Sequence, residues 1–383
     1  MSKRNLSRRD LALLGTFALA PPGAAGAAPK SLSMSRGVPI SDDVIAAAVR
    51  DAHLRYKTLN EGKNLDHPVL SKVPTEYFGI VVGTPDGRFS MAGDTTPTFT
   101  LQSVGKVFTL ALVLQESGSD AVEDLIGVNA TGRVFNSIEA IEAHQGRDQN
   151  PLVTPGAIAT TAMVKGDTAE EKWAKIIAIQ GAFAGRQLGI SQDVYAASSA
   201  TNQRNRAIGA LMSAYGRIKG DHVAATDLYT RQCSIEVTAK DIGVMAATLA
   251  AGGRNPITGR QVVDTQLIPR ILAVMSTAGL YDTSGQWLFH TGLPAKSGVG
   301  GGLIAVSPGK FGIAGFSPPL DAAGNSVRSQ RAIMEISARL GGNPYAAGPD
   351  GRHPVDHDLD DRTGVPLNRT KSPPRPGTNS RPE

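Results

Sequence analysis

Phe99-Thr100-Leu101-Gln102-Ser103-Val104-Gly105-Lys106, running on into the apolar stretch Val107 to Leu114, decides how this chain is read. S-x-x-K at the opening of a helix sets a hydroxyl and an amine on adjacent turns of one face, because residues i and i+3 are neighbours. The residues after Lys106 are too apolar for a surface helix, so Ser103 and Lys106 enter the core together. A lysine partly stripped of water there can lose its charge and serve as base for the serine. The competing view, a chance S-x-x-K with Lys106 at the surface, fits that context less well, since each group is a natural partner for the other. Far along the chain, Lys296-Ser297-Gly298 followed by Val299-Gly300-Gly301-Gly302 reads as a strand whose small residues let a substrate approach the backbone.

S-x-x-K and K-S-G together resemble the first and last signatures of serine acylases of the β-lactamase and penicillin-binding type, which implies acyl transfer. The chain has 383 residues, 41% of them hydrophobic and 19% charged, values of a soluble globular protein with ample core to bury. Its net charge of +5 is concentrated at the N-terminus, in Lys3, Arg4, Arg8 and Arg9. What remains is too little for nucleic-acid binding, and no basic cluster with interleaved aromatics occurs.

Ser7-Arg8-Arg9-Asp10-Leu11 ahead of an apolar run to Ala20, with small residues at Ala25-Gly26-Ala27, reads as a twin-arginine export signal over residues 1–28. The expected location is periplasmic or secreted. The apolar run is too short to be a stable membrane anchor. A single cysteine, Cys233, excludes an internal disulfide, and with no second Cys or nearby His it reads as a packed small residue. The seven histidines show no metal-binding spacing in the core, so no metal site is expected. His353 and His357 fall in a Pro/Arg-rich stretch, residues 343–383, whose composition predicts a disordered tail.

Between leader and tail, residues 38–342 form the expected catalytic domain. A helix begins at Ser41-Asp42-Asp43 and continues to about Leu59. A strand over Tyr77 to Val82 turns at Thr84-Pro85-Asp86-Gly87 into a hairpin partner, Arg88 to Ala92. The Ser103 helix ends near Gly118. From about 118 to 288 the pattern is mostly helical, with segments at Ile138 to Ala143, Gly156 to Met163, Lys172 to Ala184, Asn205 to Tyr215, His222 to Cys233 and Thr238 to Ala251. Strands return at Leu303 to Ser307 and Phe311 to Phe316, and a last helix spans Val327 to Leu340. This order predicts an α/β (α+β) fold, a sheet flanked by helices with a helical subdomain inserted between the S-x-x-K and K-S-G motifs. The two halves of the sheet would then bring Ser103 near Lys296.

Further residues narrow the family. Leu101 to Phe108, Phe135-Asn136-Ser137, Asn150-Pro151, Arg204-Asn205, Tyr229, Cys233-Ser234-Ile235, Leu249 to Gly253, Gly279-Leu280-Tyr281, Gly292 to Gly302, Ser317-Pro318 and Asp321 to Asn325 resemble, in order and spacing, the serine-dependent bacterial glutaminases. The resemblance covers roughly Val38 to Leu340. It implies a β-lactamase-like fold and hydrolysis of glutamine to glutamate and ammonia with no metal or organic cofactor. It also implies roles: Ser103 as nucleophile, Lys106 as its base, and Tyr229 as a hydroxyl that relays a proton to leaving ammonia. Asn205 and Tyr281 match substrate contacts, and Val299 matches the residue whose N–H joins that of Ser103 in an oxyanion hole.

Two positions depart from the family pattern. A substrate-contacting Asn is Thr154 here, and the Glu that faces the α-ammonium of glutamine is Ser198, with no Asp or Glu anywhere from Val194 to Gly220 to replace it. Losing a charge partner in a buried site typically costs about 3–5 kcal/mol. The resemblance thus implies intact acylation machinery with altered substrate recognition. The partner is a small-molecule amide, glutamine or an analogue, with a homo-oligomer as one open assembly state. A β-lactamase or peptidoglycan peptidase fits less well, because Tyr229-Thr230-Arg231 carries no S-x-N or Y-x-N signature. Two other readings stay open: an amidohydrolase for an N-blocked or non-amino-acid amide, and a non-catalytic binding protein on the same scaffold.

Overall fold

A computed structural model describes residues 40–346. The expected signal over 1–28, and the expected tail from residue 347 onward, lie outside the described residues. In chain order the elements are α1 (Asp42–Tyr56), β1 (Gly79–Gly83), β2 (Phe89–Gly93), β3 (Phe99–Thr100), α2 (Gly105–Ser117), α3 (Ser119–Leu125), α4 (Ile138–His144), α5 (Thr154–Met163) and α6 (Ala169–Ala184). They continue as α7 (Gln192–Thr201), α8 (Gln203–Ala214), α9 (His222–Cys233), β4 (Glu236–Val237), α10 (Ala239–Ala250), α11 (Ile268–Ala278) and α12 (Ser284–Thr291). The chain closes with β5 (Ala295–Ser297), β6 (Gly302–Ser307), β7 (Phe311–Phe316) and α13 (Val327–Arg339).

Five strands form an antiparallel sheet in the order β2-β1-β7-β6-β5. The N-terminal hairpin therefore joins the C-terminal strands through β1 and β7, with Val81 opposite Ala314. Alternate residues serve opposite faces, as the period of two along a strand requires. Ile80, Val82, Leu303, Ala305 and Ile313 pack under α1 and α13 with Ile45, Val49, Ile333 and Ile336. Val81, Ile304, Val306, Ala314 and Phe316 face the opposite way, against Ile242, Met245, Ala246 and Leu249 of α10. Helices cover both faces, so β1, β6 and β7 are buried along their whole length. Gly312 lets α10 come close, since a Cβ there would stand 2.3 Å from the Ala246 carbonyl carbon.

The helical insertion has its own apolar centre, in which Ile141, Ile158, Ile208, Met212 and Tyr229 meet. Beside the α10 packing, a second, two-stranded sheet links it to the sheet domain by pairing β3 with β4, Phe99 against Val237. The Leu101 N–H extends this link by donating to Ile235 O at 2.8 Å. Two-residue strands carry no periodic signal, so this sheet has no counterpart in the sequence pattern. It is nevertheless the contact that sets the approach to Ser103 against the C-terminal end of α9. Among the described residues no helix is long and apolar enough to cross a membrane.

Candidate active site

Ser103 does not open a regular α-helix directly. It lies in a 3₁₀ turn, Gln102–Val104, that leads into α2. Gln102, immediately before it, has φ of 48°, in the left-handed region that non-glycine residues rarely adopt. Such a position costs about 1–3 kcal/mol and persists only where surrounding contacts enforce it. Here the enforcing contacts are visible. The Gln102 side chain donates to Thr100 Oγ1 at 2.9 Å, and a Cβ at Gly298 would stand 2.9 Å from Leu101 O. A Cβ at Gly300 would stand 2.7 Å from Thr100 O. The small residues after Lys296 thus admit the chain's own Ser103 segment. Ser103 and Val299 become neighbours in space by that packing.

Two backbone N–H groups in this region lack acceptors among the described residues. The Ser103 N–H precedes the first bond of its turn, Val104 N to Leu101 O, and has no acceptor among the described residues. The Val299 N–H has none either. A pair of unspent N–H groups beside a hydroxyl is the arrangement that stabilises a developing oxyanion.

Lys106 is 1% exposed, on the first turn of α2. Among the described residues Lys106 makes no hydrogen bond to Ser103. The Lys106 amine reaches Leu152 O at 3.5 Å and lies 5.5 Å from the centre of the Tyr229 ring. Leu152 is held in place by Asn150, whose side chain accepts the Leu152 N–H and donates to Val128 O and Thr277. Asn150 is therefore a positioning residue. Burial pushes the Lys106 amine down to about 8. Among the described residues no carboxylate balances it, and the adjacent Cys233 thiol is raised by its own burial.

Lys296, fully buried on β5, donates to Gly279 O at 2.9 Å and to Ser297 O. Its amine lies 4.2 Å over the Tyr281 ring. Burial pushes its pKa well below the usual lysine value, and the Lys106 charge pushes in the same direction. Two lysines in one dry site cannot both hold protons cheaply. Tyr281 has φ of 59°, a second strained position, and its hydroxyl donates to Ser297 O at 3.2 Å while also bordering the Ser103 hydroxyl. The Phe135 ring packs tilted against Tyr281, with centroids 4.7 Å apart. The Ser297 hydroxyl is buried with no partner among the described residues.

Tyr229, on α9, presents its hydroxyl to Thr154 and to Cys233, and burial raises its pKa well above the phenol value. Cys233 is thus half-buried beside the candidate site, a placement its sequence context did not signal. Thr154 starts α5, where its N–H donates to Phe135 O at 2.8 Å. Asn205 lies on α8 with no hydrogen bond from its side chain to any described residue, and its neighbour Arg204 clamps the Asn136 carbonyl at 3.0 and 3.1 Å. Ser198, on α7, meets a residue that sequence reasoning missed: His67 Nε2 lies 3.0 Å from Ser198 Oγ. His67 follows directly on the segment 61–66, which lines a cavity of about 590 Å³ together with Phe135, Val299 and the segment 320–324.

A five-stranded antiparallel sheet between α1/α13 and α10, with a helical insertion carrying α9 to the Ser103 turn, is the β-lactamase-like architecture. Comparison with known proteins narrows the class. A family model described as Glutaminase matches residues 62–345. The glutaminase of Colwellia psychrerythraea is 48% identical, over 79% of this chain and 97% of its own length. That of Mycobacterium ulcerans is also 48% identical, over 79% of this chain and 94% of its own. The solved structure of the probable glutaminase ybaS aligns with a TM-score of 0.79 at 43% identity, covering 80% of this chain and 99% of that one. The chain belongs to the glutaminase family and is an amidohydrolase of the glutaminase type.

Proposed function

We propose that the protein is an exported serine amidohydrolase that converts glutamine to glutamate and ammonia through an acyl-enzyme on Ser103, with recognition of the α-amino group altered at Thr154 and Ser198. The observation that carries this reading is the buried Ser103–Lys106 pair beside two unspent backbone N–H groups. Lys106, with its pKa near 8, takes the Ser103 proton as the hydroxyl oxygen attacks the side-chain amide carbon. The carbonyl oxygen becomes an oxyanion facing the N–H groups of Ser103 and Val299. Collapse breaks the C–N bond, the nitrogen leaving as ammonia with a proton relayed from Lys106 through the Tyr229 hydroxyl. Water then attacks the ester, gives its proton to Lys106, and frees glutamate and the Ser103 hydroxyl. Asn205 and Tyr281 complete the proposed substrate contacts.

A small serine-reactive fluorophosphonate tests the acyl-enzyme step independently of the α-amino group. The expected result is one adduct, mapped to Ser103 by mass spectrometry and missing in Ser103→Ala. An unlabelled protein, or a label on another serine, would remove the basis for the mechanism.

Export rests on Arg8-Arg9 and the apolar run that follows them. A twin-arginine signal is read by a receptor, so charge alone does not suffice. Replacing both arginines with lysine is expected to strand precursor in the cytoplasm on cell fractionation. An unchanged periplasmic yield would contradict the export reading.

A further inference from the structure

His67 and Ser198 are 131 residues apart in sequence and in contact in the fold. The geometry around the imidazole fixes the direction of their hydrogen bond. Nδ1 accepts the backbone N–H of Val69 at 3.2 Å and of Leu70 at 3.3 Å. A ring nitrogen that accepts amide protons carries none, so the ring proton resides on Nε2. The Nε2–H therefore donates to Ser198 Oγ across 3.0 Å. Burial lowers the His67 pKa and keeps the ring neutral. The Ser198 hydroxyl, one lone pair already filled, retains a proton that has no acceptor among the described residues. Position 198 thus offers a neutral hydroxyl, with a free donor and one remaining lone pair, where the family pattern offers a charged carboxylate.

An α-ammonium is a donor only. Set against Ser198 it would bring its charge to a site with no countercharge at that position, and the serine proton would still lack an acceptor. Two nearby carboxylates are already engaged. Asp321 accepts the N–H groups of Ala323 and Asn325 and the Gln330 amide, and Glu61 faces Arg331 at 3.9 Å. Asp66 is exposed on the cavity wall.

We propose that the site takes ω-amides whose α-carbon carries a hydrogen-bond acceptor in place of the ammonium, a 2-oxygenated or N-acylated five-carbon amide, gripped by the Ser198 hydroxyl that His67 orients. This rests on the reading of Ser103 as nucleophile. The 2-oxygenated and N-acylated substrates share the required acceptor, and the cavity beside Val299 and Phe135 has space for an acyl group.

The experiment compares ammonia release by the full chain from L-glutamine, N-acetyl-L-glutamine, 2-hydroxyglutaramate and glutaramate, the last with neither donor nor acceptor at the α-carbon. At least one acceptor-bearing amide is expected to exceed glutamine and glutaramate about tenfold in kcat/KM, the worth of one well-made hydrogen bond. Which amide gains distinguishes the two sources. Ser198→Ala should collapse that preference, and His67→Ala should do the same mainly through KM. His67→Gln, which keeps an N–H donor, should restore part of it; a merely structural histidine would not move the substrate ratio. Fluorophosphonate labelling of Ser103 in each variant reports an intact fold. Glutamine preferred over both acceptor amides overturns the proposal, as does a ratio unmoved by Ser198→Ala. Glutamine preference that disappears in Asp66→Asn overturns it too, by assigning the ammonium to Asp66. Labelled Ser103 with no acceptor amide turned over defeats this proposal alone, whereas an unlabelled Ser103 defeats the acyl-enzyme reading beneath it.

Discussion

Ser103→Ala is expected to abolish ammonia release from every amide the protein cleaves, while the variant keeps its fold. Alanine fills nearly the same space, and Tyr281, which the Ser103 hydroxyl borders, retains its bond to Ser297 O. Lys106→Ala should be nearly as severe, because a nucleophile and its base fail as a unit. The pH profile adds a sign. Lys106 works as a base only without its proton, and burial sets that step near 8. So kcat/KM should rise with pH through about 8 and level off above it, falling about tenfold per unit on the acid side. Lys106→Arg, cationic throughout, should stay inactive across the range. Full turnover in Ser103→Ala would end the mechanism. A profile flat from about pH 6.5 to 9 would take Lys106 out of the role of base.

The absence of a Ser103–Lys106 hydrogen bond fits the same account. The Lys106 amine rests on Leu152 O, and catalytic hydrogen bonds often tighten only in the complex with substrate. What holds the pair in place was only partly written in local sequence. The i,i+3 spacing and the apolar run of α2 were legible because helical period is a local property. The strands were legible for the same reason, with β-branched runs bounded by Gly, Pro and Asp. The two-residue sheet of β3 and β4 was not, since two residues cannot display a period. Nor was α7, whose Ala, Ser and Thr give one buried side chain, Val194, and no apolar stripe. His67 stayed hidden for a different reason. It sits in an irregular segment, and its partner lies on a helix of the inserted subdomain, so only the closed fold joins them. Cys233, read from sequence as a packed small residue, packs against the Tyr229 cluster, but its position beside the candidate site is a tertiary fact.

Restoring the family residues, as Thr154→Asn with Ser198→Glu, is expected to raise kcat/KM on free glutamine by at least about tenfold, equivalent to about 1.4 kcal/mol. The gain should fall mainly on KM, because an unpaired ammonium is costly to desolvate and a carboxylate at position 198 would meet it. His67 complicates the exchange in a readable way. Its Nε2–H, now spent on Ser198 Oγ, would turn to the new carboxylate and hold one of its oxygens, leaving the other for the ammonium. At position 154 the local geometry is stricter. Thr154 shares a hydrogen bond with Tyr229, Pro155 follows it at the first turn of α5, and a Cβ at Gly156 would stand 1.9 Å from Gln149 O. Backbone adjustment there is costly, so the Thr154→Asn half can require Pro155→Ala to seat its amide. Steady-state kinetics of wild type, each single change, the double and the triple separate these contributions. The Ser198→Glu step should carry most of the gain, since it supplies a charge while Thr154→Asn supplies a hydrogen bond. A wild type already as efficient on glutamine as the restored protein would mean that other groups hold the ammonium, and that the two departures from the family pattern leave its ordinary specificity intact.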